Sequence, residues 1–316
     1  MSKIVITGGA GFIGSHLAKL LDSKGHQVII YDNFSNGSGK KNLPKSVKIV
    51  RGDILNYEKM KLIFKKSSLI FNLAVLPLVM SFDYPEKVIR VNDYGTYLVS
   101  KVCSDFKIKM IHVSSSEAYG TAKYSTMKEN HPLKPTTIYA ASKASSESYV
   151  QAFGETKNLK YVIVRPFNAY GEFMREDNYC AAIPKFFQRI SNNQNPIIHG
   201  NGNQTRDLTF VSDTVNGIYL ASKTPSAVGN IFNIANGKES TIKNIAKIMV
   251  KKYSELTGID KKLELNFVDE RIGDVKRHLG DISFAKKKLS YSPKISLEDG
   301  LTRYIEWKLE NKTSKK

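Results

Sequence analysis

The 316-residue chain is 41% hydrophobic and 24% charged, which excludes a mainly disordered state, and no apolar run nears the ~18 residues of a membrane-spanning helix. Its formal charge is +19, from 48 Lys and Arg against 29 Asp and Glu, yet only nine of the basic residues are arginine and the lysines are scattered. Base readout and bidentate phosphate recognition favour arginine, so the charge reads as a solvated surface that can attract a small anionic substrate, with neither nucleic acid nor membrane expected as a partner.

The first half alternates strand and helix. Lys3–Thr7 is a short β-branched run, and a helix is predicted from Phe12 to Lys24, with Ile13, Leu17, Leu20 and Leu21 on one face. Gly25 stands where a left-handed C-cap would end it. Val28–Tyr31 is the next strand, closing at Asp32, and Asn33–Lys45 is a polar loop. Strands follow at Val47–Arg51 and Leu69–Leu73, with a helix between them carrying Met60, Ile63 and Phe64. Val88–Cys103 is helical, Met110–Val113 a strand, Thr137–Lys157 a long helix, and Tyr161–Val164 a strand that stops at Pro166. Strands spaced by helical patterns predict an α/β, Rossmann-type, doubly wound parallel sheet over residues 1–172.

After Phe173 the rhythm loosens. Short strands are predicted at Pro196–His199, Asn230–Ile234 and Leu263–Val268, and helices at Asp213–Ser222, Thr241–Leu256 and Leu297–Glu310. Residues 173–310 are read as mainly a smaller C-terminal α+β substrate lobe at the sheet's carboxyl edge, with some later segments returning to the first domain and 311–316 as a frayed tail.

Thr7-Gly8-Gly9-Ala10-Gly11-Phe12-Ile13-Gly14 follows a strand and opens a helix. Gly8 permits the tight turn, Gly11 lets the backbone approach a pyrophosphate, and Gly14 lets helix and strand pack closely. The helix N-terminus offers free N–H groups to the phosphates. Asp32 ends the second strand, where a carboxylate accepts hydrogen bonds from both ribose hydroxyls and repels a 2′-phosphate, so NAD is expected over NADP. Asp53, after the third strand, is placed to meet the adenine amino group or to cap the next helix.

Tyr139 and Lys143 lie four apart on a predicted helix, hence on one face. A free phenol, with a pKa of ~10, is a poor base at neutral pH, but a nearby ammonium, helped by the cation of an oxidised nicotinamide, favours the phenolate. Such a tyrosinate can take a proton from a substrate hydroxyl while hydride leaves the same carbon, and Lys143 can also hold the nicotinamide ribose. Ser114-Ser115-Ser116 ends a strand on the same edge and offers a hydroxyl to share that hydrogen bond.

With these residues in view, the sequence resembles an extended short-chain dehydrogenase/reductase of the nucleotide-sugar epimerase/dehydratase family. The matching motifs are Thr7–Gly14, Asn72-Leu73-Ala74, Asn92 with Gly95-Thr96, Ser114–Gly120, Tyr139–Lys143 and Arg165-Pro166-Phe167-Asn168. Further along they are Gln204-Thr205-Arg206-Asp207, Val211-Ser212-Asp213 and Arg271–Asp281. The resemblance runs from about residue 3 to 307.

The resemblance implies an NAD site of Gly8, Gly11, Phe12, Ile13, Gly14, Asp32, Asn33, Asp53 and Ile54 at the adenosine end. Leu73 and Ala74 would line the pyrophosphate and ribose, Asn92 and Phe167 the nicotinamide end, beside Tyr139 and Lys143. It selects Ser115 over its neighbours, because Ser115 lies four residues before Tyr119. Ser116 and Asn168 would meet the substrate, Arg206 and Arg271 would clamp its diphosphate, and Asp274 would bind the nucleoside ribose. His278 falls where related epimerases sense a bulky N-acetyl group. The family's homodimer would pack the helices near 88–103 and 137–157.

The shared chemistry is reversible oxidation at C4 of the hexose. The implied reaction is a nucleotide-sugar 4-epimerase, with UDP as the expected nucleotide. Ser116-Glu117 leaves alternatives open: dehydratases of this family usually carry Asp-Glu there, the simplest epimerases no acid, and uronic-acid decarboxylases and some amino-sugar dehydratases a Ser-Glu pair. A net C4 dehydrogenase is a further alternative, and Glu117 can equally serve as a structural ion pair or cap. Asn72–Leu78 departs from the usual Ala-Ala-containing stretch. A reading from another class is a non-catalytic NAD- or RNA-binding protein, which would not need Ser115, Tyr139 and Lys143 together. The six histidines show no metal-ligand spacing, and Cys103 and Cys180 can make no disulfide framework, so no metal is expected. The opening residues lack a signal-peptide core, and a reducing cytoplasm is the expected compartment.

Overall fold

The computed structural model describes residues 3–35, 39–271 and 273–313. The strands are β1 (Lys3–Thr7), β2 (Gln27–Asp32), β3 (Lys48–Arg51), β4 (Leu69–Asn72), β5 (Lys109–Val113), β6 (Tyr161–Pro166) and β7 (Ala169–Tyr170). They continue as β8 (Ile197–His199), β9 (Thr205–Asp207), β10 (Thr209–Phe210), β11 (Ile231–Ile234), β12 (Glu239–Thr241) and β13 (Asn266–Val268). The helices are α1 (Phe12–Ser23), α2 (Tyr57–Phe64), α3 (Met80–Asp83), α4 (Pro85–Val88), α5 (Gly95–Asp105) and α6 (Ile138–Lys157). Then come α7 (Ala182–Ser191), α8 (Val211–Lys223), α9 (Ile242–Thr257), α10 (Ser283–Leu289) and α11 (Leu297–Thr313).

Seven strands form one parallel sheet in the order β11-β6-β5-β4-β1-β2-β3. Alternate residues of β1 feed opposite faces. Ile4 and Ile6 join Leu17 and Leu21 of α1 and Ile218 of α8, whereas Val5 joins Leu98 and Val102 of α5 and Val150 of α6. Two cores, one per face, explain why these strands read as continuous β-branched runs rather than alternating ones.

Three differences from the predicted elements matter. Asn230–Ile234, assigned to the smaller lobe, supplies β11, the outer strand of the main sheet, with Phe232 opposite Val164 and fully buried. The helix predicted over Val88–Cys103 is α4, a π-helical stretch at Ile89–Tyr94, and α5. The wider turn brings Asn92 inward, where it bonds both Leu76 and Ser142. At the far end α11 continues through Asn311 to Thr313 instead of fraying at 311, and residues 314–316 of the expected tail lie outside the described residues. Part of the 33–45 loop, residues 36–38, also lies outside them.

Beyond β6, the smaller layer packs α7, α9 and α11 around Phe187, whose ring meets Tyr253 at 5.9 Å and Tyr304 at 6.0 Å. Three two-stranded ladders, β7/β10, β8/β13 and β9/β12, flank the carboxyl edge of the sheet.

Helix α6 is pinned to that edge by a buried ion pair. The Arg165 guanidinium of β6 donates to both Glu147 carboxylate oxygens, at 2.9 Å from Nε to Oε1 and 2.5 Å from Nη2 to Oε2, with the two side chains 3% and 2% exposed. The Ser114 hydroxyl at the end of β5 donates to the same carboxylate. Arg165 also donates to the Tyr119 hydroxyl at 2.7 Å, which in turn donates to Asn233 of β11 at 2.7 Å. Every charge in the cluster is therefore paired and hydrogen-bonded. Removing one partner strands the other: Glu147→Ala should cost about 3–5 kcal/mol in urea unfolding, and Glu147→Leu with Arg165→Met should cost less than either single change. A loss under about 1 kcal/mol in Glu147→Ala would contradict the pairing.

Candidate active site

The turn between β1 and α1 is shaped by its glycines. Gly8 has φ +66°, and a Cβ there would stand 2.7 Å from the Ala74 backbone. A Cβ on Gly14 would stand 2.4 Å from the Gly8 carbonyl oxygen, so α1 can press against the turn only without a side chain at that position. Gly11 occupies the N-cap of α1 with no side-chain cap, and the first turn holds no acidic residue. Its first amide groups are left for an anion, which suits a pyrophosphate.

Asp32, at the tip of β2, accepts the Ala10 amide at 2.9 Å and the Phe34 amide at 2.7 Å. A carboxylate has about four acceptor sites, so two remain for ribose hydroxyls. Asp53 accepts the Leu55 amide and the Asn33 side-chain amide, each at 2.9 Å, while the cap of α2 is Asn56. The capping alternative for Asp53 thus falls to another residue. Gly8, Gly11, Phe12, Ile13, Gly14, Asp32, Asn33, Asp53, Ile54, Leu73 and Ala74 all line one cleft of about 940 Å3. The glycine cradle, the uncapped helix end and the carboxylate fit a dinucleotide.

The other wall of the cleft carries Ser114, Ser115, Ser116, Glu117, Tyr139 and Lys143. The three serines have different duties. Ser114 is spent on Glu147, and Ser116 is almost fully buried. Ser115 caps the short helix Ser116–Tyr119 by accepting the Glu117 amide at 3.2 Å, and it lines the cleft together with Tyr139. Thr137 caps α6 two residues before Tyr139, accepting the Ala140 amide at 3.1 Å.

The protein's own groups, taken without a nicotinamide cation, hold the Tyr139 phenol up. Burial pushes the phenol up to about 12; the Ser115 hydroxyl opposes this, and the Glu117 carboxylate adds to it. The Lys143 ammonium, 4% exposed, donates to the Val113 carbonyl at 2.7 Å. Burial lowers it to about 8, with Glu147 pulling the other way. Burial also raises the Glu117 carboxyl, opposed by Arg206 and reinforced by Asp274.

On the substrate side, Asn168, Arg206, Arg271 and Asp274 line the cleft. Arg206 and Asp274 are joined to each other, Nη2 to Oδ1 at 2.6 Å, and Arg206 Nη1 donates to the Thr205 and Val275 carbonyls at 2.9 and 2.6 Å. Of five guanidinium N–H groups, two remain for a diphosphate. The expected clamp and the expected ribose anchor are thus paired with each other. Two expected cofactor residues lie behind the wall. Phe167 is fully buried between the rings of Tyr119 and His278, and Asn92 is bonded to Leu76 and Ser142. Both shape the cleft through neighbours instead of lining it. His278 is fully buried too and does not line the cleft.

Sequence reasoning missed Glu147 and Arg165 as the frame for α6. The spacing Tyr139, Lys143, Glu147 continues one helix face and was a usable signal. It also missed the segment Met174–Ala182, which lines the cleft along with Val75–Val79. Among the described residues no cluster of three or more His, Cys, Asp or Glu could hold a metal, and no helix is long and apolar enough to cross a membrane.

A family model described as GDP-mannose 4,6 dehydratase matches residues 5–304. The chain is 31% identical to a putative UDP-glucose 4-epimerase of Methanocaldococcus jannaschii, over 98% of this chain and 99% of the relative. It is also similar to the UDP-glucose 4-epimerase of Thermotoga maritima solved with UDP-glucose, with TM-score 0.91, 30% identity and coverage of 98% and 99%. The UDP-glucuronic acid 4-epimerase of Bacillus cereus, solved with UDP-glucuronic acid and NAD, gives TM-score 0.89 and 28% identity over 98% and 99% of the two chains.

The glycine cradle makes a direct test. Gly14→Ala should weaken NADH binding at least ~10-fold by fluorescence titration and lower the melting temperature, because overpacking against backbone costs ~1–3 kcal/mol. Unchanged affinity would remove the turn from the cofactor's site.

Proposed function

The chain belongs to the nucleotide-sugar epimerase and dehydratase family of extended short-chain dehydrogenases/reductases, and on that premise we propose that it is an NAD-dependent nucleotide-sugar 4-epimerase working through a transient 4-keto sugar. The observation that carries this reading is the meeting, in one cleft, of the Gly8–Gly14 turn with Ser115, Tyr139 and the buried Lys143. The epimerase names of its relatives, two of them bound to UDP-sugars, support UDP as the nucleotide. In this reading residues 1–172 form the dinucleotide domain and residues 173–310 mainly the sugar-nucleotide lobe.

The Gly8–Gly14 turn and Asp32 would hold NAD, whose nicotinamide would supply reversible hydride acceptance at C4. Tyr139 Oη, as the phenolate, receives the C4 hydroxyl proton and later gives it back, and Ser115 shares the hydrogen bond. Lys143 supplies the positive charge that this step needs, against burial that favours the neutral phenol. Arg206 and Arg271 meet the diphosphate and Asp274 the nucleoside ribose. The second reading, a dehydratase or decarboxylase, is favoured by Glu117 in the cleft wall and by the dehydratase description of the matching family model.

We assign a homodimer to the exposed aromatic face of α4–α6. Tyr94 is 51% and Tyr149 40% exposed, Tyr97 lies within ring contact of both, and Ile89 and Ile138 are exposed nearby. Two free, buried cysteines, Cys103 and Cys180, suit a reducing cytoplasm.

Incubation with UDP-glucose, UDP-N-acetylglucosamine, UDP-glucuronate and GDP-mannose should give a product of unchanged mass and new configuration. Loss of water or carbon dioxide would establish the second reading instead, and accumulating NADH a net oxidation. Tyr139→Phe should cut turnover at least ~10²-fold with NAD still bound; a near-normal rate would remove Tyr139 from its role. Light scattering should give twice the chain mass, and Tyr94→Glu with Tyr149→Glu the monomer mass.

A further inference from the structure

His278 is fully buried, with its ring 5.8 Å from that of Phe167. Its Nε2 stands 3.1 Å from the Gly120 carbonyl oxygen. A carbonyl can only accept, so Nε2 carries the hydrogen and Nδ1 is left with a bare lone pair. Nδ1 is buried with no hydrogen-bond partner among the described residues. The group facing it is Glu117 Oε1, at 3.9 Å.

Three protonation patterns are available. An ionised Glu117 would set a carboxylate at the cleft wall against the bare lone pair of a fully buried nitrogen, which repels. A doubly protonated His278 would make an ion pair, but burial pushes this imidazole down to about 3, and Arg206 and His131 push it the same way. The third pattern puts the proton on Glu117, whose O–H then meets Nδ1 after a side-chain rotation that closes the 3.9 Å gap. The groups facing Glu117 are Arg206, Asp274, Tyr139 and His278, and its carboxyl is already raised by burial. Arg277 is occupied by Glu239 at 2.7 Å.

We infer that His278 Nδ1 holds Glu117 as a neutral carboxylic acid, which makes His278 a positioning residue of the cleft. The consequence falls on Tyr139. A Glu117 carboxylate opposes the phenolate, so keeping it protonated removes that repulsion. A neutral Glu117 can donate a proton but cannot take one, which suits the epimerase better than a base-driven elimination. The meaning for catalysis rests on the proposed 4-epimerase reading, but the protonation itself can be read without a substrate.

Infrared difference spectra between the unaltered chain and Glu117→Gln at pH 7 should contain the carbonyl band of one protonated carboxylic acid. In His278→Gln the side-chain amide can donate to a carboxylate, so that band should vanish at pH 7 and its titration midpoint fall by about 1–2 pH units. A carboxylate signal for Glu117 in the unaltered chain, or an equal midpoint in His278→Gln, would overturn the inference. Nitrogen-15 NMR of the unaltered chain is independent of any variant's folding: Nδ1 should be unprotonated and hydrogen-bonded, and a protonated Nδ1 would overturn it. In turnover, the acid limb of the kcat–pH profile should move to higher pH in His278→Gln but not when that change is made in Glu117→Gln. A shift of the same size in both would overturn the inference. Should no nucleotide sugar be turned over while the infrared and NMR results hold, the 4-epimerase reading fails alone.

Discussion

Glu147 and Arg165 meet inside the protein, where an unpaired charge would cost several kcal/mol. Their mutual attraction offsets that cost only because the remaining donors and acceptors are also satisfied, by Ser114 and Tyr119. The pair therefore admits one geometry of α6 against β5 and β6. Tyr139, Lys143 and Glu147 recur at four-residue steps on α6, so locking Glu147 locks the face that carries the other two. The orientation of the candidate general base is thus set two helical turns away, by a contact that takes no part in the chemistry.

That same burial decides the electrostatics. The low-dielectric wall disfavours both the Tyr139 phenolate and the Lys143 ammonium, and moves their pKa values apart, the phenol up and the ammonium down. Burial alone therefore favours the neutral phenol, and further positive charge in the cleft is what would favour the phenolate. The nearby carboxyl of Glu117 would work against the phenolate if ionised, and His278 offers a physical reason for it to stay neutral. The net charge of +19 acts at longer range and favours arrival of a doubly charged diphosphate.

On the opposite side, the smaller layer contributes a guanidinium that is already at work. Arg206 ties together β9 and the turn at 273–275 through its bonds to Thr205, Val275 and Asp274. A diphosphate bound there would meet a donor whose direction is fixed in advance, which lowers the entropy cost of binding.

The order of the first strands and helices was legible from short-range chemistry. Lys3–Thr7 was placed to the residue, and the glycine spacing, Asp32 and the Tyr139/Lys143 step were visible because turn, strand end and helix face each involve residues close in sequence. What the chain could not display locally came from partners far apart along it. Return of Ile231–Ile234 to the main sheet, the different duties of Ser114 and Ser115, the withdrawal of Asn92 and Phe167 behind the wall, and the facing of His278 to Glu117 across more than 150 residues all belong to this kind. Periodicity records how a segment is wetted or buried, and so it determines elements and local motifs. Which buried polar atom finds which partner is decided only when the layers close, because that choice is a competition among groups that the sequence keeps apart.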